Sequence, residues 1–163
     1  MEEYIIYIKM PSYLAQWFIH EHGGSPVRLK KGSAESLILQ LYLTKPPSDY
    51  VPKQQQPDEV AIIIPEFKLK DPASYFYLSK KAVALFVETV HKRFVVQLFN
   101  DIHSIECLGS RKDKLIEAWM ETNGIEYTGA TWDVITKNYQ RACDKYRQNK
   151  CRDKKKSEKH KKY

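Results

Sequence analysis

The stretch "SKKAVALFVETVHKRFVVQLFNDIHSIECLG", residues 79–109, decides the fold. Ala82, Leu85, Phe86, Val90, Phe94, Leu98, Ile102 and Ile105 recur at helical spacing, which draws one long apolar stripe along an α-helix. Ser79 can cap its start, and Gly109 closes it. The stripe is wide enough to be buried on more than one side. This is read as the central helix, with a different rhythm on either side of it.

Upstream, the apolar residues form short runs. Tyr4-Ile5-Ile6-Tyr7-Ile8 is β-branched and aromatic and reads as a strand. Pro11 pre-sets the first turn of a helix carrying Leu14, Trp17 and Phe18, and Gly23-Gly24 stops it. Val27 to Lys30 alternates as a strand with one wet face. Leu37, Leu39, Leu41 and Leu43 also alternate, after a possible helical opening at 33–36, and predict a short helical turn followed by a strand. Residues 44–58, "TKPPSDYVPKQQQPD", hold four prolines and a Gln triplet and read as a long exposed loop. Glu59 to Ile64 is the next strand, ended by Pro65.

Downstream, Ser110-Arg111-Lys112-Asp113 resembles a capping box with Asp in the place of Glu or Gln. The helix it opens buries Leu115, Ile116, Trp119 and Met120 and ends at Asn123-Gly124. A last helix, capped by Thr131, turns Trp132, Ile135, Tyr139, Ala142 and Tyr146 inward. The expected fold is therefore α+β: a small N-terminal sheet with one helix, a C-terminal three-helix segment resembling a helix-turn-helix, and a disordered basic tail. The domain reading is 1–78, an α/β module with the Pro/Gln-rich loop 44–58; 79–150, a helical module; and 151–163, the tail.

With 42% hydrophobic residues and eleven Tyr in 163 residues, the chain can build a real core. No apolar run approaches the ~20 residues of a membrane span. The N-terminus lacks the features of a signal peptide, and a cytoplasmic protein is the expectation. Cys107, Cys143 and Cys151 suggest reduced thiols rather than a disulfide framework.

The charge is concentrated at one end. Residues 137–163 hold twelve Lys and Arg against three Asp and Glu, whereas the first 136 hold 15 basic and 17 acidic residues. On the last helix, Lys137, Arg141 and Lys145 share a wet face with Asn138, Gln140, Asp144 and Gln148. Arg, Lys, Asn and Gln are side chains that read base edges in a major groove. Arg147, Lys150, Arg152, Lys154, Lys155, Lys156, Lys159, Lys161 and Lys162 continue the charge and would neutralise phosphates. The function expected is nucleic-acid binding, with duplex DNA as the partner, in an accessory or regulatory role. An anionic membrane is excluded as a partner because the basic run lacks an apolar anchor. "GGSPVRLKKG" adds Arg28, Lys30 and Lys31, read as wet tips of a turn.

Two alternatives follow from other residues. Asp58, Glu66 and Lys68 have the order of a metal-dependent nuclease, two carboxylates for Mg²⁺ and a Lys near the attacking water. The second alternative is a structural or assembly protein whose tail grips nucleic acid without specificity. His20 and His22 form a pair without a third ligand, whereas His103 and Cys107, four apart on a helix, form a metal half-site that Cys143 could complete. A buried small apolar residue is the commoner role for Cys. No cofactor signature, glycine-rich phosphate loop or nucleophile motif is present, and no metal site or catalytic residue is assigned.

The stretches "YIKMPSYLAQWFIHEHGG", "VRLKKGSAES" and "LIEAWMETNGI…WDVITKNYQR" together resemble small uncharacterised proteins of Bacteroidales genomes, prophages and mobile elements. That resemblance brings no activity and no site. A weaker likeness is to the Mor-type phage transcription activators, in which a helix runs into paired glycines and a strand, as in "HEHGGSPVRL", and a helix-turn-helix ends the chain. It implies DNA binding. The proline-rich loop and the extra sheet have no place in that pattern, so no binding residue is carried over from it.

Overall fold

The computed structural model describes residues 3–160 and is α+β. The elements run β1 (Ile5–Lys9), α1 (Ser12–Glu21), β2 (Val27–Arg28), α2 (Ala34–Tyr42), β3 (Glu59–Ile63), α3 (Lys80–Glu106), α4 (Lys112–Thr122) and α5 (Gly129–His160). They form two compact units. One is built on the residues up to Arg93 with Asn123–Ile125, and the other on Phe94–Thr122 with the residues from Glu126 on.

The first unit holds a three-stranded sheet in the order β1-β3-β2. β1 runs antiparallel to β3 with Ile5 opposite Ile63, and β2 runs parallel to it with Val27 opposite Ile62. The central strand is buried on both faces, as its unbroken Val-Ala-Ile-Ile run requires. α1 contributes Leu14, Trp17 and Phe18 to the core, and α3 contributes Ala82, Phe86 and Val90. Phe18 meets Phe86 edge-on, with ring centroids 6.2 Å apart. Ser79 caps α3, its hydroxyl accepting from the Ala82 N–H at 3.2 Å. Two positions of the expected α3 stripe, Leu85 and Ile105, are exposed.

Residues 34–42 form a helix, not the expected turn and strand. Ser33 caps it by accepting from the Ser36 N–H. Glu35, Ile38 and Leu39 are buried while Leu37 and Leu41 are exposed, so the buried positions follow the helical period. The sheet module thus carries two helices, and residues 44–58 link α2 to β3. Glu35, fully buried, is held by Arg93 of α3 at 2.5 Å. Arg93 also pairs with Glu21, and its guanidinium lies over the Trp17 ring, 5.5 Å from the centroid.

The second unit packs Phe94, Leu98 and Ile102 of α3 against Ile116, Trp119 and Met120 of α4 and Ile135, Tyr139 and Cys143 of α5. The Trp119 indole donates to Asp101 at 2.9 Å and meets Phe94 edge-on. Asp113, expected in a capping box, takes the Arg111 guanidinium at 2.7 Å, and α4 starts after Arg111. α5 starts earlier than expected. Thr128, not Thr131, is its cap, accepting from the Thr131 N–H at 3.1 Å.

Gly124 follows α4 with φ +69°. A Cβ there would lie 2.7 Å from Cδ2 of His20. Gly124→Ala therefore combines a left-handed backbone with a steric clash, and should cost about 1–3 kcal/mol of stability. A urea unfolding curve checks this; an unchanged midpoint would refute it.

Candidate nucleic-acid interface

α5 runs without interruption for 32 residues, a rod of roughly 48 Å at ~1.5 Å per residue. The disordered tail expected from residue 151 is corrected here, since residues 151–160 continue the helix. The physical reason is propensity. This stretch contains no Gly or Pro and is rich in Lys and Arg, and extending a helix already nucleated by packing costs little. Lys161 and Lys162 lie outside the described residues.

The first turns of α5 are packed. Ile135, Asn138 and Tyr139 are buried, and so is Cys143. Asn138, expected on the wet face, belongs to the core side. Tyr146, expected inward, is 42% exposed, although its ring lies against Phe99 and His103. From Asp144 to Glu158 every residue is exposed.

Along the outer side, Lys137, Arg141, Lys145, Arg152, Lys155 and Lys156 follow one another at helical spacing, so they line up in one stripe within about a quarter of the circumference. Lys137, Arg141 and Lys145 are exposed. Asp153 falls outside the stripe, about 60° beyond its Lys156 edge. Other basic residues are engaged elsewhere. Arg147 pairs with Asp144 at 3.6 Å, and Lys150 lies 5.7 Å over the Tyr146 ring. Lys154 is exposed outside the stripe, and Lys159 lies within the helix.

The expected helix-turn-helix is not confirmed. Six residues, 123–128, separate α4 from α5. The N-terminal turns of α5, the part that would read bases in such a motif, carry the buried Ile135 and Tyr139.

No protein-family model matches this chain, and no curated protein or solved structure matches it. The functional reading therefore rests on the geometry of the chain itself. No helix among the described residues is long and apolar enough to cross a membrane.

Among the described residues, neither Asp58 nor Glu66 belongs to a cluster of three metal-ligating side chains. Asp58 closes on Lys9 at 2.6 Å, and the hydrogen bond from Lys9 holds its carboxyl below the usual range. Glu66 and Lys68 follow in the irregular segment after β3. His22 donates from Nδ1 to the Phe18 carbonyl oxygen of its own helix at 2.9 Å. Arg28 is paired with Glu3.

His103 and Cys107 do come together, with Nε2 and Sγ 3.8 Å apart. Glu106 and Cys143 of α5 gather with His103, their donor atoms all within 4.8 Å of one another, and Cys107 lines the same cleft; Glu106 escapes the sequence reading although its i, i+3 spacing from His103 was available. Tyr139 donates its hydroxyl to Glu106. Burial, reinforced by that hydrogen bond, pushes the Tyr139 phenol well above its ordinary range. Burial likewise raises the Cys143 thiol.

A further feature has no counterpart in the sequence reading. A groove with a volume of about 1090 Å³ runs between β1 and the first half of α3. One wall is β1 itself; Val83, Val87 and His91 of α3 form another; Tyr50, Phe76 and Tyr77 close an aromatic end. Tyr4 and Met10 bond backbone to backbone with Ile64 and Asp58. By the alternation of an antiparallel ladder, Ile5, Tyr7 and Lys9 turn their backbone groups to the open edge.

Proposed function

We propose that the protein binds duplex DNA through the outer face of α5, in an accessory or regulatory role. The observation that carries this reading is the uninterrupted exposed stripe of Lys137, Arg141, Lys145, Arg152, Lys155 and Lys156. Each cation set against a phosphate releases counterions, which provides affinity independent of sequence. A helix about 10–12 Å across fits the major groove, where Arg141 can present its fork to guanine edges. Single-strand binders interleave cations with aromatic stacking platforms, and this stripe carries no aromatic residue. Duplex is therefore the favoured form. The test is a salt-titrated binding assay on random duplex, single strand and RNA, with the stripe intact and neutralised.

The groove at β1 favours a second reading, an assembly protein that also holds a protein partner. An open strand edge beside an apolar helix face suits an added extended segment, whose backbone pairs with Ile5, Tyr7 and Lys9 and whose alternate side chains enter the groove. A displayed peptide library should then yield sequences of alternating apolar residues, and Val87→Arg, in the groove wall, should abolish their binding. Selection of no such pattern would remove this reading and leave the DNA reading untouched.

A further inference from the structure

We propose that His103, Glu106 and Cys143 bind a zinc-class divalent metal ion, with Cys107 as the fourth donor. His103, Glu106 and Cys107 stand at i, i+3 and i+4 at the end of α3, which puts them on one helical face. Cys143 approaches from α5. Donor atoms of His103, Glu106 and Cys143 all lie within 4.8 Å of one another, beside a cleft of about 220 Å³. In a tetrahedral zinc site with bonds of about 2.0–2.3 Å, neighbouring donors stand roughly 3.5 Å apart. The three donors therefore lie near tetrahedral spacing, and a bound ion would draw them together.

The surroundings are those of a positioned ligand set. The His103 ring is stacked on Phe99, 4.6 Å between centroids, and flanked by Tyr146 at 5.2 Å, so its orientation is fixed by packing. Its Nδ1 is buried without a hydrogen-bond partner, a costly state for a polar nitrogen. The other ring nitrogen, Nε2, faces the Cys107 sulfur at 3.8 Å, and it is the nitrogen that an ion shared with Cys107 would take. Tyr139 bonds to the Glu106 carboxylate and holds it in place, as outer-shell donors do for metal-ligating carboxylates.

The donor chemistry selects the ion. Two sulfurs, an imidazole and one carboxylate suit Zn²⁺ or Co²⁺, whereas Mg²⁺ and Ca²⁺ want oxygen. Four protein donors make a closed site of the structural kind. It would pin the end of α3 to α5 within the second unit.

The experiment titrates Zn²⁺ into the full reduced chain against a chromophoric chelator, with Co²⁺ spectra in parallel. One ion per chain is expected, with a thiolate-to-Co²⁺ charge-transfer band. Cys143→Ser should weaken binding at least about 100-fold and remove most of that band. Tyr139→Phe, which only repositions Glu106, should weaken it about 10-fold. Cys151→Ser, on the exposed part of α5, should change neither. Should Cys143→Ser fail to fold, Glu106→Gln provides the same decision, with an expected loss of at least about 10-fold. The proposal is overturned by wild-type protein that takes up no stoichiometric ion. It is equally overturned if binding survives Cys143→Ser or Glu106→Gln, or if Cys151→Ser is the change that abolishes the band.

Discussion

Replacing Arg93 with Met should lower the unfolding free energy by about 3–5 kcal/mol. Arg93 is the partner of a carboxylate with no exposed surface, that of Glu35. Removing the guanidinium leaves that charge buried and unpaired, a costlier state than either the intact pair or an apolar replacement of both members. Little nearby can substitute. The second Glu35 oxygen, Oε2, already has no hydrogen-bond partner, and only the N-terminal end of α2, in whose first turn Glu35 sits, offers partial compensation. The loss also frees Glu21 and uncovers the Trp17 face. The double variant Arg93→Met with Glu35→Met should recover most of the deficit, because it removes both charges and keeps the volume. Urea unfolding of the two single variants and the double variant measures this. A loss under about 1 kcal/mol for Arg93→Met would show that the pair is not what holds Glu35 in place.

Neutralising Lys137, Arg141, Lys145 and Arg152 together, each to Gln, should reduce the log–log salt slope of duplex binding by roughly 3.6, at ~0.9 per phosphate. At 0.1 M salt the same relation makes the affinity loss on the order of 10³-fold. Gln retains helix propensity, so far-UV circular dichroism should be unchanged. A matched pair, Arg147→Gln with Lys150→Gln, removes charge from residues occupied by Asp144 and Tyr146 and should cost much less. Equal losses for the two sets would mean that net charge, not the stripe, drives binding. No binding by the wild type would end the DNA reading. Arg141→Ala alone should cost about 1–3 kcal/mol on a selected duplex and less on a scrambled one, if its fork reads a base edge.

Local signals located most of the elements. β1, β3 and α1 were readable from alternation, helical spacing and the paired glycines, and the Ser79 cap of α3 is formed as its sequence suggests. The error at 37–43 has a definite cause. Four leucines at every second position imitate a strand, but Leu37 and Leu41 are left to solvent. What selects the helix is the Ser33 cap and the burial of Glu35, and Glu35 is tolerable inside only because Arg93 meets it, 58 residues away. No local pattern reports such a partner. The tail was misread for a different reason. Scarcity of apolar residues argues against independent folding, yet a segment continuous with a packed helix need not fold independently. In the candidate sites, the charge stripe and the His103–Cys107 pair were visible as spacings. The approach of Cys143 to Glu106 is a product of helix packing and was legible only as one possibility among several. The groove was invisible, because it is made by segments from both ends of the first unit.

The order of strands in the sheet has a consequence for how the chain comes off the ribosome. β3 is the middle strand and the last of the three to be synthesised. β1 and β2 make no ladder with each other; each pairs only with β3. Until residues 59–63 leave the exit tunnel, Ile6, Ile8 and Val27 have no strand to join, and α1 and α2 have no sheet to cover. The Pro/Gln-rich segment ahead of β3 is then the last stretch made before closure, and beyond Tyr50 and Val51 it offers a waiting chain little aliphatic or aromatic surface to collapse upon. A nascent chain arrested before Glu59 therefore lacks the strand on which both β1 and β2 pair.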